Sequence, residues 1–328
     1  MKRRWCVAGS VLALSTGLAV QPVSSSAQAG AVEIAKVIAN DSGGMSWTTG
    51  ATCTSSPGTG AEPELDLPVN GGWRTVHMSR TGSRYATTQM AGTSDTSARV
   101  SSDARGATRL EVKATTTARA TPSSASPDCT VRYSATGGAG IQVAVTRRSW
   151  IVVRSSVTSR GGFGGELYVE ATDSDFVVES VPGKGITRLV TPQTYQLIGA
   201  LAAEVDVPAG SATARSSSAS MVASLAVLPV GTRRTHTGNG RPFVTAGHRN
   251  CAQNRTLMTL TRAARTKARS ITFFADGQRR VVLRGRALQR SSILLTRLAP
   301  RKFGLVRAEI VLRSGAKRVT QSTSWPCA

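Results

Sequence analysis

The feature that most constrains the fold of this chain is the two-residue period of its apolar positions. Met221, Ala223, Leu225 and Val227 occupy alternate positions, with Ser224 and Ala226 between the last three. The same alternation occurs over residues 110–114, 141–145 and 195–207. Because successive side chains of a β-strand point to opposite faces, this period predicts half-buried strands. No apolar stripe of helical period extends beyond about two turns. The sequence therefore predicts an all-β protein built from β-sandwiches.

The N-terminus has the pattern of an export signal. Residues 2–4 are Lys-Arg-Arg, residues 5–20 form an apolar run, and residues 27–29 are Ala-Gln-Ala. A basic segment, a short apolar segment and a small-residue cleavage site are typical of a cleavable secretory signal peptide, and the apolar run is short for a membrane-crossing helix. We therefore expect a signal peptide over residues 1–29, an extracellular or cell-surface protein, and no membrane span in the mature chain.

The cysteines agree with export. Cys6 lies in the predicted signal, and four cysteines remain at positions 53, 129, 251 and 327. An even number of cysteines in an exported chain predicts disulfide bonds, for which three pairings are possible. We favour Cys53–Cys129 and Cys251–Cys327, because each pair would close a separate module. Zinc binding is disfavoured because no two cysteines have CxxC spacing.

The mature chain divides into two predicted modules. Residues 30–229 are expected to form an N-terminal sandwich or jelly-roll-like module, with weak structural signals over residues 30–70. Residues 230–250 contain turn formers without alternation and are interpreted as a linker. Residues 251–328 form the second module. Its predicted strands cover residues 255–262, 269–275, 279–284, 292–296, 303–312 and 317–325.

The second module contains recognisable elements in a fixed order. The Asp276-Gly277 turn lies between two apolar runs, a long strand precedes Gly315, and Cys251 and Cys327 bound the module. This pattern resembles cysteine-bounded bacterial immunoglobulin-like modules of secreted proteins from high-GC Gram-positive bacteria. The resemblance implies a β-sandwich that serves as a spacer, stalk or binding platform, without catalytic residues. Vertebrate immunoglobulin domains differ, because their cysteines lie in the core with a tryptophan between them.

The positive charge is concentrated in the second module. The whole chain has a formal charge of +23, but residues 30–228 contain 17 cationic and 16 acidic residues. Residues 229–328 contain 21 cations and only two acids, Asp276 and Glu309, a net charge of 21 − 2 = +19. Such asymmetry predicts a polyanionic partner, here the anionic polymers of a cell envelope, because arginine binds phosphate bidentately. The candidate residues are Arg279, Arg280, Arg284, Arg286, Arg290, Arg301, Lys302, Arg313, Lys317 and Arg318.

Sequence-specific nucleic-acid recognition is disfavoured. No recognition helix is predicted in the basic module, and few aromatic rings are available there to stack on bases. These rings belong to Phe273, Phe274, Phe303 and Trp325, which we expect to pack the sandwich.

Two short segments resemble parts of trypsin-like serine proteases. Residues 245–248 read TAGH, like the segment around the catalytic histidine of that family, and residues 41–44 read DSGG, like the segment around its nucleophile. Ser42 precedes His248, which reverses the order in that family, and the two lie in different predicted modules. Catalysis requires the serine, histidine and aspartate to converge. We interpret the segments as a turn and a linker and predict no enzymatic activity, no cofactor and no metal.

The alternating residues Glu62, Glu64 and Asp66 could hold a calcium ion or act as a catalytic carboxylate pair. We interpret them as a solvated edge.

Taken together, these features predict a secreted or cell-surface binding or adhesion protein without catalysis. Two alternatives are a secreted hydrolase with its site in the N-terminal module and a purely structural stalk.

Overall fold

A computed structural model describes residues 31–47, 53–56, 59–60, 62–125, 128–171, 174–180 and 185–328. The predicted signal peptide lies outside these residues. The prediction of an all-β protein is confirmed, because the described segments contain 21 strands, one short α-helix and one 3-10 helix. No helix in the described segments has the length and apolarity needed to span a membrane.

Two antiparallel sheets form the N-terminal module. Sheet I contains, in spatial order, β10 (Ser174–Ser180), β9 (Gly162–Ala171), β12 (Gln193–Val207), β7 (Cys129–Val145), β1 (Ala31–Trp47) and β3 (Glu64–Asp66). Sheet II contains β11 (Ile186–Val190), β8 (Ser149–Arg160), β13 (Arg215–Pro229), β6 (Thr108–Pro122), β5 (Thr88–Ser102), β4 (Arg74–Tyr85) and β2 (Ser55–Ser56).

The inward faces of sheets I and II share one apolar core. Tyr133 of β7, Tyr195 of β12 and Leu225 of β13 are fully buried in it. The alternation that predicted these strands therefore corresponds to inward and outward positions. The predicted Cys53–Cys129 disulfide is present and ties the segment before β2 to the start of β7.

Residues 30–70 have weak structural signals in the sequence, but the first part of this segment forms a long strand. Strand β1 is 17 residues long and pairs with β7 over its whole length, with one irregularity between Val32 and Ile34. Val37 and Ala39 are buried in the core. The irregularity shifts the phase of the alternation, and residues 40–46 are polar or small apart from Met45, so the two-residue period is hard to see in the sequence.

The C-terminal module also consists of two antiparallel sheets. Sheet III contains β14 (Arg233–Thr237), β21 (Lys317–Ser324), β20 (Gly304–Leu312), β17 (Ala268–Ala275) and β18 (Gln278–Arg284). Sheet IV contains β15 (Val244–Asn250), β16 (Arg255–Leu260) and β19 (Ser292–Leu295). Helix α1 (Arg262–Lys267) and a 3-10 helix (Gly285–Gln289) complete the module. All six predicted strands are present, and the Cys251–Cys327 disulfide is formed as predicted.

The interpretation of residues 230–250 as a linker is wrong. Strand β14 pairs with β21, and β15 pairs with β16, so both belong to the sheets of the C-terminal module. Val244 and Ala246 are buried in its core. The turn-forming residues Gly238, Gly240 and Pro242 only connect the two strands, and the short Val-Thr-Ala alternation of β15 was the sequence signal that could have revealed it.

The two modules contact each other near the end of the chain. Trp325 was expected to pack inside the sandwich, but it lies between Trp150 of β8 and Phe303, which precedes β20. Trp150 Nε1 also donates to the carbonyl of Pro326, at an N–O distance of 2.9 Å. This end of sheet III, where β20 begins and β21 ends, is called the contact end below.

Candidate functional site

The two ends of sheet III differ in charge. Strand β20 runs from Gly304 at the contact end to Leu312 at the opposite end, about 26 Å away at the usual rise per residue. Ten cationic residues lie at the Leu312 end, which we call the basic end. They are Arg262, Arg265, Lys267, Arg269, Arg284, Arg286, Arg290, Arg313, Lys317 and Arg318.

Strand pairing brings the sheet residues of the basic end together. Arg284 at the end of β18 pairs with Ser270 near the start of β17, and Lys317 at the start of β21 pairs with Val311 at the end of β20. The backbone N–H of Arg313 donates to the carbonyl of Lys267, at 2.9 Å. Three stretches of the chain, residues 262–269, 284–290 and 313–318, therefore place cations at one edge of the module.

The two short helices add the remaining cations. The side-chain oxygen of Thr261 accepts a hydrogen bond from the N–H of Ala264 and caps α1. Helix α1 contacts the 3-10 helix, and Gln289 Nε2 donates to the carbonyl of Arg265 at 3.4 Å. The helices thus lie side by side at the basic end, with Arg286 and Arg290 beside α1.

No cation of the basic end has an acidic partner among the residues that the structure describes. Eight of the ten are exposed, and Arg265 and Arg318 are half-buried. None of them takes part in an ion pair between residues that the structure describes. In water, this arrangement produces a positive potential that attracts anions and weakens with added salt.

Both acids of the C-terminal module lie elsewhere and are already engaged. Asp276 is in the turn after β17, where its carboxylate accepts hydrogen bonds from the N–H groups of Ala299, at 2.8 Å, and Leu305, at 3.0 Å. Glu309 lies in the middle of β20 and forms an ion pair with Arg307. Neither carboxylate neutralises the basic end.

The structure divides the predicted anion-binding residues into two groups. Six of the ten belong to the basic end. The other four do not: Arg279 and Arg280 lie at the start of β18, next to the Asp276 turn, and Arg301 and Lys302 lie in the loop before β20. These four are nearer to the contact end.

Sequence reasoning missed four cations of the basic end, Arg262, Arg265, Lys267 and Arg269. Arg262 and Arg269 lie at the end of one predicted strand and the start of the next, and Arg265 and Lys267 lie in the segment between them, for which no helix or strand was predicted. The run Thr-Arg-Ala-Ala-Arg-Thr-Lys, a capping residue followed by good helix formers, was the available signal.

The segments that resemble a serine protease lie in different modules. Ser42 is on β1, opposite Ser134 of β7 in sheet I, whereas His248 is on β15 in sheet IV. The Nδ1 atom of His248 accepts a hydrogen bond from the N–H of Arg233 at 3.2 Å. Burial, and next the charge of Arg105, lowers the pKa of His248. The described contacts do not join the two segments.

The acidic segment near residue 64 is an edge with ion pairs. Glu64 lies on the edge strand β3 and pairs with Lys36, and Glu62 pairs with Arg80 at 3.1 Å. The hydrogen bond that Lys36 donates to the carboxylate of Glu64 raises the pKa of Lys36. Among the residues that the structure describes, no group of three or more His, Cys, Asp or Glu side chains could hold a metal ion.

Comparison with known proteins does not assign the chain to a family. No protein-family model matches the chain, and no curated protein matches it at a significant level.

Proposed function

We propose that this chain is an exported, non-catalytic binding protein whose C-terminal module attaches it to phosphate-rich anionic polymers of a cell envelope. The observation that carries the proposal is the basic end, where ten cations lie together and none forms an ion pair within the described part of the chain. Eight of the ten are arginines, whose planar guanidinium groups bind two phosphate oxygens at once.

The position of the basic end also supports attachment. It lies at the opposite end of sheet III from Trp325, which contacts the N-terminal module. A polymer bound there would leave the N-terminal module directed away from the charged surface. The two disulfides agree with an oxidising compartment outside the cytosol.

The proposal is tested with the mature chain, residues 30–328, in a binding assay with wall teichoic acid and inorganic polyphosphate over a salt series. The triple variant R284E/R313E/K317E reverses three charges of the basic end. The matched control R279E/R301E/K302E reverses three of the candidate charges outside it. Circular dichroism and thermal unfolding check that both variants are folded.

We expect the first variant to lose most of the affinity and to lower the slope of log affinity against log salt by about two. The control variant should lose much less. Equal losses in both variants would show that binding follows net charge alone. If the unaltered chain does not bind at low salt, attachment by charge is wrong and a structural stalk becomes the better interpretation.

A further inference from the structure

The outer face of sheet II in the N-terminal module is polar and regular. The central outward positions of its three middle strands are residues 93, 95, 97 and 99 of β5, residues 111, 113, 115 and 117 of β6, and residues 218, 220, 222 and 224 of β13. Arg109 and Arg119 are also outward and lie at the two ends of the β6 row. We call these twelve positions the hydroxyl face. Seven of them are serine or threonine, and the four charged residues, Asp95, Arg99, Glu111 and Lys113, sum to zero.

Many hydroxyl groups on this side of sheet II form cross-strand pairs. The Oγ1 atoms of Thr93 and Thr117 are 2.6 Å apart, and the Oγ1 of Thr75 on β4 is 2.8 Å from the Oγ of Ser97. A hydroxyl has one donor and two acceptor lone pairs, so each pair keeps hydrogen-bonding capacity toward solvent. The face therefore offers an array of groups that both donate and accept.

One tryptophan lies over the corner of the hydroxyl face. The Trp73 ring centroid is 4.9 Å from the guanidinium carbon of Arg99 and 4.6 Å from Nζ of Lys113, and 37% of the residue is exposed. Cation–π contacts of this kind hold a ring in place. Tryptophan combines a large apolar ring with a polar N–H and is enriched at binding interfaces, so this ring is a candidate contact for a ligand.

The loop that carries Trp73 is anchored to the sheet. The N–H of Asn70 donates to the carbonyl of Val100 at 2.9 Å, and its side-chain oxygen accepts from the N–H of Ser102 at 2.7 Å. Leu67 is buried in the core. The ring is thus positioned before any ligand arrives, which lowers the entropy cost of binding.

From these features we propose that the hydroxyl face and Trp73 form a binding site for a neutral polysaccharide. The C–H faces of a sugar ring stack on an aromatic ring, and its hydroxyls match groups that both donate and accept. A protein partner would require an apolar centre, but Val222 is the only apolar side chain on the face. A nucleic acid would require a strongly basic surface, whereas the charges of the twelve positions balance, and Arg109 and Arg119 flank them at the ends of the β6 row. This site is independent of the basic end.

The test is retention of the mature chain on three insoluble glycans: chitin, cellulose, and peptidoglycan sacculi stripped of phosphate polymers. The assay uses a salt concentration of about 1 M, at which charge attraction from the basic end is screened. The variants are W73A, the conservative W73F, and T93V/T117V, which removes a hydroxyl pair with little change in shape. The control is L65A, which truncates an exposed apolar residue of sheet I.

We expect at least one of the glycans to retain the unaltered chain, and W73A to weaken that retention about tenfold, a loss of ~1.4 kcal/mol. W73F should restore part of it, T93V/T117V should weaken it, and L65A should leave it unchanged. Retention by W73A equal to that of the unaltered chain, or no retention on any of the three glycans, would overturn the proposal.

The same experiment separates the two binding sites. The charge-reversal variant R284E/R313E/K317E should retain glycan binding, whereas W73A should retain polyphosphate binding at low salt. Loss of both activities in either variant would contradict the assignment of two independent sites.

Discussion

The rings of Trp150 and Trp325 stack with their centroids 5.9 Å apart and their planes 30° apart, although 175 positions separate them in the sequence. Trp150 Nε1 also donates to the carbonyl of Pro326 at 2.9 Å. This pair joins the outer side of β8 in the N-terminal module to the segment that follows β21. The Cys251–Cys327 disulfide fixes that segment to the C-terminal module.

The first prediction concerns this contact. The variant W150A removes both the stacked ring and its hydrogen bond, so we expect the two modules to unfold more independently. Differential scanning calorimetry should then resolve two transitions, or one broader transition, where the unaltered chain has a sharper one. W73A, which removes a tryptophan far from the contact, is the control. A transition of W150A as sharp as that of the unaltered chain would contradict a role for Trp150 in coupling.

A second prediction concerns Arg249, a buried cation with 4% of its surface exposed. Its Nη2 donates to the carbonyl of Leu298 at 2.9 Å and to Oδ1 of Asn254 at 2.8 Å. Burial lowers the pKa of Arg249. We expect R249M to lower the free energy of unfolding by about 2–3 kcal/mol, because hydrogen bonds to a charged group are lost and their acceptors stay buried. Urea denaturation measures the loss, with the exposed-site variant R301M as the control.

Gly304 provides the space for that guanidinium. A Cβ atom at position 304 would lie 3.1 Å from Nη1 of Arg249 and 2.7 Å from Oγ of Ser324. G304A should therefore be destabilised by about 1–3 kcal/mol. Because the two residues share one contact, the double variant R249M/G304A should lose less than the sum of the single losses. If the losses of unfolding free energy in the two single variants add up to the loss in the double variant, the absence of a side chain at Gly304 is not needed to accommodate Arg249.

The third prediction is a pH dependence of stability. Burial lowers the pKa of His236 and of His248, and the next contributions come from Arg233 for the former and Arg105 for the latter. The unfolded chain, with a histidine pKa of about 6.5, therefore binds protons more tightly than the folded chain. Stability rises with pH in this range and is lost as the pH falls below about 6.5 toward the folded pKa values.

Urea denaturation at about pH 7.5 and about pH 5.5 measures this loss. The variant H236Q/H248Q should show a smaller difference between the two conditions than the unaltered chain does. If the double variant is as sensitive to pH as the unaltered chain, other groups are responsible.

The fourth prediction concerns the Cys251–Cys327 disulfide, whose cysteines are 76 positions apart. Closing a loop of this length limits the unfolded chain and stabilises the folded state by about 4 kcal/mol in the chain-entropy account. The variant C251S/C327S should lower the stability of the C-terminal module, measured by calorimetry, and weaken its contact with the N-terminal module. C53S/C129S is the matched control in the other module. Equal effects of both variants on the C-terminal transition would contradict the assignment of each disulfide to its own module.

Alternation in the sequence predicted the strands well where one face is buried and the other is polar. Strands β12 and β13 and the six predicted strands of the C-terminal module are examples, because their inward residues differ clearly from their outward ones. Strand β1 was missed because an irregularity shifts its phase, and its partner β7, rather than its own composition, holds it in the sheet. Strand β15 was missed because only Val244 and Ala246 of its seven residues are apolar and buried.

The sequence alone determined the fold class, the even number of cysteines available for disulfides and the amount of charge in the last hundred residues, because these depend on periodicity and counting. It favoured one of three possible disulfide pairings, which the structure contains. Only the tertiary structure decided where the charge lies. Pairing of β17 with β18 and of β20 with β21 brings Arg284 and Lys317 to one end, and α1 adds cations that the sequence pattern did not select. Such groupings join residues that are far apart along the chain, and no local pattern contains that information. Trp73 follows the same rule, because only the folded sheet brings Arg99 and Lys113 beneath its ring.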